Sequence, residues 1–342
     1  MTVEGPLPLP PFASPHRSAE VWRVPYAERA AQAADWARAH DVPPAAQDRR
    51  RVCLLLVDCQ NTFCVPGFEL YVAGRDGTGA VDDTRRIAEL VYRRLGAITE
   101  IVCTLDTHTQ AQIFHPFFWV DRDGRHPAGG VTVIEEDDLA HGRWRVNPAA
   151  AAALGRPLPW LERHARHYVR RLAAGGRYPL TVWPYHAMVG SPGHALVSAV
   201  EEAVFVHAAA RRTAPRIEVK GENPLTEHYS VFGPEVREDA DGLPLGRRNH
   251  ALIEHLLTFD AVLVAGEAKS HCVAWSVEDL LADPRVRDQA RRARLHLLED
   301  CMSPVVVPGA DFADQGDAAV SGFAARGVQV ARSTDARLGW LP

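Results

Sequence analysis

Three residues of different chemistry follow apolar segments of the chain, and together they could form a nucleophilic site. Cys272 lies in VLVAGEAKSHCVAW, after a predicted strand that ends at Gly266 and before a segment with helical spacing. A cysteine at a helix N-terminus is favoured as a thiolate, because the exposed N–H groups and the helix dipole stabilise negative charge. Asp58 ends the apolar segment VCLLLVD, and Lys220 ends RIEVK. We therefore predict that Asp58 accepts the thiol proton of Cys272 while Lys220 keeps that carboxylate ionised.

Each of these residues, taken alone, has a plainer interpretation. Cys272 could be a buried structural cysteine, Asp58 a cap for the turn that follows it, and Lys220 a solvated side chain. His271 precedes the cysteine, but adjacent residues of a helix do not face each other, so the base is expected to come from another element. It is the combination of an acid, an amine and a thiol at strand ends that indicates catalysis.

A second group of residues has the spacing of a metal site. Asp106 and His108, in TLDTHT, flank one residue at the end of another predicted strand, so both side chains can point to the same side. His186, in VWPYHAMVG, and His115, in IFHPFFW, are further candidate ligands. One carboxylate with two or three imidazoles suits a divalent metal that keeps open positions, although each histidine alone is more simply explained as structural.

The elements that must position these residues alternate along the chain. Segments with helical spacing separate short apolar runs typical of buried strands, which are residues 52–58, 100–106, 216–220, 261–266, 293–300 and 328–333. This alternation predicts a three-layer α/β/α fold around a mostly parallel, six-stranded sheet. Ligands bind beyond the carboxyl ends of the strands in such sheets, where all the candidate residues are expected to lie.

Two parts of the chain depart from this alternation. Residues 1–50 begin with a proline-rich stretch and continue with an alanine-rich helical segment, so we predict an N-terminal extension that packs on the main domain or on a neighbouring subunit. The main domain is expected to cover residues 51–342, with a long insertion at about 116–180. Within this insertion, an acidic run at 135–138 is interpreted as solvated surface.

Composition limits the classes of function. The chain has 342 residues, of which 46% are hydrophobic and 24% charged, as in ordinary globular proteins. The net charge of −5 excludes a strongly basic nucleic-acid-binding protein. We find no secretory signal or bilayer-spanning apolar stretch, and six cysteines are too few for a disulfide framework. A cytoplasmic protein without nucleic-acid or membrane partners is expected.

The sequence motifs resemble the isochorismatase-like cysteine hydrolases, and within them the nicotinamidase/pyrazinamidase branch. Residues 54–74 (LLLVDCQNTFCVPGFELYVAG), 219–232 (VKGENPLTEHYSVF) and 264–273 (VAGEAKSHCV) are similar to the aspartate, lysine and cysteine motifs of that family. The resemblance implies the isochorismatase-like hydrolase fold and a homo-oligomer.

The resemblance also implies roles for individual residues. Asp58 would be the general base, Lys220 the second triad member and Cys272 the nucleophile. The backbone N–H groups of Ala268 and Cys272 would form the oxyanion hole, with a cis peptide bond between Glu267 and Ala268.

The metal residues place the resemblance in the nicotinamidase branch, since isochorismatases proper lack them. Asp106-x-His108 and Trp183-Pro184-Tyr185-His186 match that branch. The resemblance implies that Asp106, His108 and His186 bind a divalent metal, which would be Zn, Fe or Mn, with His115 as an additional candidate. In nicotinamidases this metal receives the pyridine nitrogen and orients the carboxamide toward the cysteine.

The function implied is hydrolysis of nicotinamide to nicotinate and ammonia through a thioester. Phe63, Phe117 and Trp119 are candidates for contact with the substrate ring, although core packing explains the last two equally well. The chain departs from the family at Glu267 and Lys269, which are charged, at Ala187, where a cysteine is usual, and in the long insertion. A different small amide, carbamoyl compound or imide therefore remains an alternative substrate, and a non-catalytic protein that binds a metal or small ligand is a third hypothesis.

Overall fold

The computed structural model describes residues 5–130 and 132–335 of the chain. The residues outside the described part are 1–4 of the predicted extension, residue 131 of the predicted insertion and 336–342 of the predicted main domain. The strands are β1 (Val52–Val57), β2 (Glu100–Asp106), β3 (Trp119–Val120), β4 (Thr132–Ile134), β5 (Arg145–Val146), β6 (Leu180–Val182), β7 (Arg216–Lys220), β8 (Ala261–Gly266), β9 (Leu295–Leu298), β10 (Val306–Val307), β11 (Ala310–Asp311) and β12 (Gln329–Ala331).

Helices connect most of these strands. They are α1 (Tyr26–Ala39), α2 (Asn61–Cys64), α3 (Gly79–Arg93), α4 (Glu136–Ala140), α5 (Pro148–Ala153), α6 (Leu158–Ala174), α7 (Ser198–Arg211), α8 (His250–Leu256), α9 (Ala274–Leu281), α10 (Gln289–Arg292) and α11 (Ala313–Ala325). Among the residues that the structure describes, no helix combines the length and apolar character needed to cross a membrane.

Six strands form one central sheet in the order β12-β9-β8-β1-β2-β7, and every neighbouring pair in it is parallel. The predicted three-layer α/β/α fold and the six predicted strands are confirmed. The sheet is parallel because a crossover carries the chain back between successive strands, and parallel sheets require apolar cover on both faces. β1 meets this requirement, since all its residues are buried.

The two faces of the sheet have separate cores. One core contains side chains of α3 and α7, such as Ile87 and Val200, and the other contains side chains of α9 and α11, such as Val277 and Phe323. All six cysteines are buried free thiols, and Cys53 and Cys103 lie in the sheet as the small core residues predicted from the sequence.

Residues 5–50 pack against the first of these cores. α1 lies on α7, where Arg29 forms an ion pair with the buried Glu202 at 2.7 Å, and the backbone N–H of Leu7 donates to the carbonyl of Arg93. This segment therefore covers the outer surface of the helical layer that contains α7.

The region from 116 to 180 carries its own small elements. β3 pairs with β5 and β4 with β6, both antiparallel, and α6 is the long helix of this region. The acidic run begins α4, where Glu135 and Asp138 form a capping box, so these carboxyls stabilise a helix N-terminus at the surface.

Candidate active site

The candidate triad lies at the carboxyl ends of three strands of the central sheet, β1, β7 and β8. Asp58 directly follows β1, Lys220 ends β7, and Cys272 follows β8. β1 and β7 are not neighbours, because β2 lies between them and ends at Asp106. Lys220 therefore reaches across β2, and its Nζ is 2.9 Å from Asp58 Oδ2, 2.9 Å from Asp106 Oδ1 and 3.6 Å from Cys272 Sγ.

Every group of this cluster is buried, which makes the Lys220 ammonium the centre of its electrostatics. Burial alone would lower the pKa of Lys220, but the charges of Asp106 and Asp58 outweigh it and raise the pKa well above its usual value. The pKa of Asp58 is raised by burial, against the lowering effect of Lys220. Thr104 donates its hydroxyl to Asp58 Oδ1 and fixes that carboxyl. An aspartate whose pKa is raised in this way is suited to accept a proton during a reaction.

The protonation state of Cys272 differs from the sequence-based expectation of a thiolate. Burial raises the pKa of Cys272 well above its usual value, and although Lys220 lowers it, Asp58 and Asp106 raise it again. Two carboxylates already compensate the single ammonium, so a thiolate would add a further negative charge to a buried site. Cys272 is thus a thiol at rest, with the Asp58 carboxyl beside it as hydrogen-bond acceptor.

The loop that carries Cys272 is held close to β1. The peptide bond between Glu267 and Ala268 is cis, as predicted. A Cβ atom at Gly266, where φ is +113°, would lie 2.1 Å from the carbonyl oxygen of Val57, so only glycine allows this approach. Residues 269–273 form a π-helical turn before α9 begins. Cys272 therefore lies before the α-helix, within the turn, and its neighbour His271 points into an aromatic cluster.

Asp106, His108 and His186 come together, with their ligand atoms within 4.8 Å of one another. His108 Nε2 is 2.8 Å and His186 Nε2 is 3.8 Å from Asp106 Oδ2. Gly221 allows this arrangement, since a Cβ there would lie 2.5 Å from His108 Cε1.

His115 lies beside this group rather than within it. Its ring centroid is 5.7 Å from that of His108 and 5.4 Å from that of His186, and its buried Nε2 has no hydrogen-bond partner among the described residues. In all three histidines Nδ1 lies close to a backbone carbonyl, at 3.2 Å from Gly221 in His108, 2.8 Å from Pro184 in His186 and 3.0 Å from Thr109 in His115. These contacts favour the tautomer in which Nδ1 carries the proton, which leaves Nε2 free to bind a metal.

The donor set fits a divalent cation. Burial lowers the pKa of His186 to about 3 and of His115 to about 2, so both are neutral, as metal ligands must be. Lys220 lies 2.9 Å from both Asp58 and Asp106, so a single ammonium faces two carboxylates beside the candidate ligands. One carboxylate and two imidazoles are ligands that Zn²⁺, Fe²⁺ and Mn²⁺ share.

A cavity of about 30 Å³ lies against the cysteine. Its lining includes Phe63, a candidate for contact with the substrate ring. It also includes residues that sequence reasoning did not assign to the site, namely Leu70, Val72, Trp183, Glu227, Tyr229, His271 and Val305. This volume is far below the roughly 300–1,000 Å³ of typical ligand pockets.

Two polar residues of the cavity wall were missed for different reasons. Glu227 lies inside the lysine motif, and its buried Oε2 has no hydrogen-bond partner in the described part of the chain. An acid within an otherwise recognised motif was the available signal. His271 was set aside because of its position next to Cys272, yet its ring is buried 4.7 Å from Phe312 and 4.8 Å from Tyr178, measured between ring centroids.

Phe117 and Trp119, the other two candidates for contact with the substrate ring, do not line this cavity. Trp119 is fully buried, and its indole N–H donates to the carbonyl of Ile113 at 2.6 Å. Phe117 is partly buried against the same core and lies 6.2 Å from His126 between ring centroids. Both are packing residues at the start of the insertion.

Comparison with known proteins confirms the resemblance. The chain is 26% identical over 231 residues to nicotinamidase from Escherichia coli strain K12, covering 67% of this chain and 75% of that protein. No family model matches the chain.

Two solved structures support the fold alone, because their sequence identities are low. A nicotinamidase/pyrazinamidase from Acinetobacter baumannii is 20% identical, with a TM-score of 0.50, over 84% of this chain and 99% of that one. The yeast nicotinamidase Pnc1p bound to the inhibitor nicotinaldehyde is 17% identical, with a TM-score of 0.50, over 82% and 99%. The architecture of the chain is thus shared over nearly the full length of both.

Proposed function

We propose that this chain, an isochorismatase-like cysteine hydrolase, cleaves a small carboxamide, with nicotinamide as the first substrate to test. The observation that carries the proposal is the buried cluster of Asp58, Lys220 and Cys272 beside the three-residue group of Asp106, His108 and His186. The similarity of the chain to the nicotinamidase of Escherichia coli supports the choice of substrate.

The reaction begins with transfer of the thiol proton from Cys272 to Asp58, whose carboxyl is its hydrogen-bond acceptor. The sulfur attacks the carboxamide carbon, and the backbone N–H groups of Ala268 and Cys272 hold the resulting oxyanion. Asp58 then gives its proton to the departing nitrogen, which leaves as ammonia, and a thioester remains on the sulfur. Throughout these steps the Lys220 ammonium balances whichever of the two, thiolate or carboxylate, is charged.

Water completes the cycle by cleaving the thioester. Asp58, again ionised, accepts a proton from the attacking water and returns it to the sulfur as the acid product leaves. A divalent metal at Asp106, His108 and His186 would supply a Lewis acid that binds an electron pair of the substrate or water. The chain itself contributes the orientation of that metal site, through the carbonyl contacts of the histidine Nδ1 atoms.

A second candidate is a different small amide, a carbamoyl compound or an imide. The insertion at 116–180 favours it, because Tyr178 of that insertion donates to the carbonyl of Ser270 at 3.0 Å and packs on His271. The insertion thus forms part of the wall behind the nucleophile loop, where it can alter the shape of the substrate site.

The test is ammonia release from nicotinamide by the purified protein, with and without added zinc, iron(II) or manganese. Cys272→Ala should abolish release, whereas Cys53→Ala, at a buried cysteine of β1 outside the site, should not. Release that is independent of Cys272 would reject the mechanism. A protein that releases no ammonia from nicotinamide but does so from another amide, in a Cys272-dependent manner, would support the second candidate.

A further inference from the structure

Behind the nucleophile loop lies a pair of buried carboxyl groups that the proposed reaction does not use. Glu267 precedes Ala268 and is fully buried, while Asp83 on α3 is 3% exposed. Ser303 joins them, since its backbone N–H donates to Glu267 Oε2 at 3.2 Å and its hydroxyl donates to Asp83 Oδ2. An aliphatic side chain at position 267 could not accept the Ser303 N–H.

The segment containing Ser303 also binds the loop through the backbone. Lys269 N–H donates to the Ser303 carbonyl at 2.8 Å, and Val305 N–H donates to Ser270 Oγ at 3.0 Å. On the opposite side, Glu267 N–H donates to the Val57 carbonyl at 2.8 Å. The loop is thus fixed between β1 and the 303–305 segment, and Glu267 is the residue that contacts both.

We propose that Asp83 and Glu267 share one proton and, through Ser303, position the loop that carries Ala268 and Cys272. They are positioning residues, because neither lines the cavity beside the cysteine. The proposal rests on the proposed function, since the loop matters to a reaction only if Cys272 is the nucleophile.

The surroundings of the pair explain why a proton replaces a cation there. Burial raises the pKa of Glu267 well above its usual value, and the charge of Asp83 and a hydrogen bond to it raise it further. Burial also raises the pKa of Asp83, to about 6. Arg86 is the cation beside the pair, 3.4 Å from Asp83 and partly exposed. The other titratable groups that face the pair are Asp82, Cys59, Cys64, Tyr71 and Cys301.

The pH dependence follows from the sign of these shifts. A carboxyl whose pKa is raised in the folded state stabilises the protein at low pH, and that stabilisation is lost as pH rises through the folded pKa. Loss of the shared proton leaves two buried carboxylates in contact, which should displace Ser303 and the loop. Glu267→Gln removes this ionisation while keeping an acceptor for the Ser303 N–H.

The experiment compares Glu267→Leu, Glu267→Gln and Asp317→Asn with the wild-type protein on an amide that the wild type cleaves. Asp317→Asn is the matched control, because Asp317 pairs with Lys269 of the same loop from the exposed side. We expect Glu267→Leu to lower kcat about tenfold or more with little change in KM, since the oxyanion donors are displaced. Alkylation of Cys272 by iodoacetamide, which needs no oxyanion hole, should keep its rate, and Glu267→Gln should recover most of kcat.

The pH dependence of kcat and of the melting temperature distinguishes a positioning role from simple packing. The ratio of kcat in Glu267→Gln to kcat in the wild type should rise as pH increases over the range in which the wild type alone loses the shared proton. The melting temperature of the wild type should fall relative to that of Glu267→Gln over the same range. A kcat of Glu267→Leu equal to that of the wild type would overturn the proposal. So would a difference in melting temperature between the wild type and Glu267→Gln that does not change with pH. If the wild type cleaves no amide but the melting difference changes as expected, the proton-sharing pair stands and the proposed function fails.

Discussion

Two buried carboxyl pairs lie on opposite sides of the nucleophile loop, and they are neutralised in different ways. At the strand ends, Asp58 and Asp106 each lie 2.9 Å from the Lys220 ammonium. Behind the loop, the described residues place no buried cation between Asp83 and Glu267, and Glu267 keeps its proton. The same residue types therefore serve different purposes, because a fixed cation leaves a carboxylate able to accept a proton, whereas a shared proton makes a rigid contact.

Removing the Lys220 ammonium is the most severe test of the difference between the two carboxyl pairs. Lys220→Met leaves two carboxylates buried without compensation, so we expect the free energy of unfolding to fall by about 3–5 kcal/mol. Proton transfer from Cys272 also loses its balancing charge, and kcat should fall by about 10³ or more. Denaturant unfolding and steady-state kinetics measure the two effects.

Lys269→Met is the matched control, since Lys269 pairs with the exposed Asp317 and should contribute at most about 1 kcal/mol. Equal losses of stability in the two variants would show that Lys220 does not hold the carboxylates as described.

The contrast between the two pairs also shows what a sequence can indicate. Asp58, Lys220 and Cys272 follow apolar runs with a clear strand pattern, so their common edge was predictable from local signals. The sequence could not show that Cys272 is a thiol at rest, because its protonation depends on how many charges the fold brings around the Lys220 ammonium. The burial of Glu267 was equally hidden, since its partners Asp83 and Ser303 come from distant parts of the chain. The role of Trp119 stayed open between packing and substrate contact, because an aromatic residue near a ligand motif has the same pattern whether it packs or binds.

His207 is a third kind of buried titratable group, because its charged neighbour Arg211 repels a protonated imidazole. His207 on α7 is 1% exposed, and its Nε2 contacts the carbonyl of Ile98 at 2.9 Å. Burial lowers its pKa from 6.5 to about 4. The unfolded chain therefore binds a proton that the folded protein does not, and stability should fall as pH decreases from about 6.5 to about 4, by on the order of 3 kcal/mol from this residue.

His207→Gln should reduce that loss, because glutamine can donate to the same carbonyl but does not titrate. Urea unfolding at several pH values measures the difference, and His141→Gln, at an exposed position, is the control. An unchanged acid dependence in His207→Gln would mean that the buried imidazole is not kept neutral.

The candidate metal ligands allow a further test at Asp106, which belongs to the pair held by Lys220. His186→Ala should weaken zinc binding by about 10- to 100-fold or more, measured by competition with a chromophoric chelator. His115→Ala should have a smaller effect, because His115 lies outside the three-residue group. Equal losses in the two variants would make His115 a ligand and enlarge the site. Unchanged binding in both would reject the site.

The smallest effect expected concerns the thiol itself. Because burial and two carboxylates hold the pKa of Cys272 above its usual value, the rate of its alkylation by iodoacetamide should still increase at about pH 9, by up to about tenfold per pH unit. Cys272→Ala supplies the background from the other five cysteines, all buried. A rate that levels off near pH 7 would mean that Lys220 stabilises a thiolate at rest. The Lys220 ammonium would then act mainly on the sulfur of Cys272. In that case the position of this one cation would not explain the difference between the two carboxyl pairs.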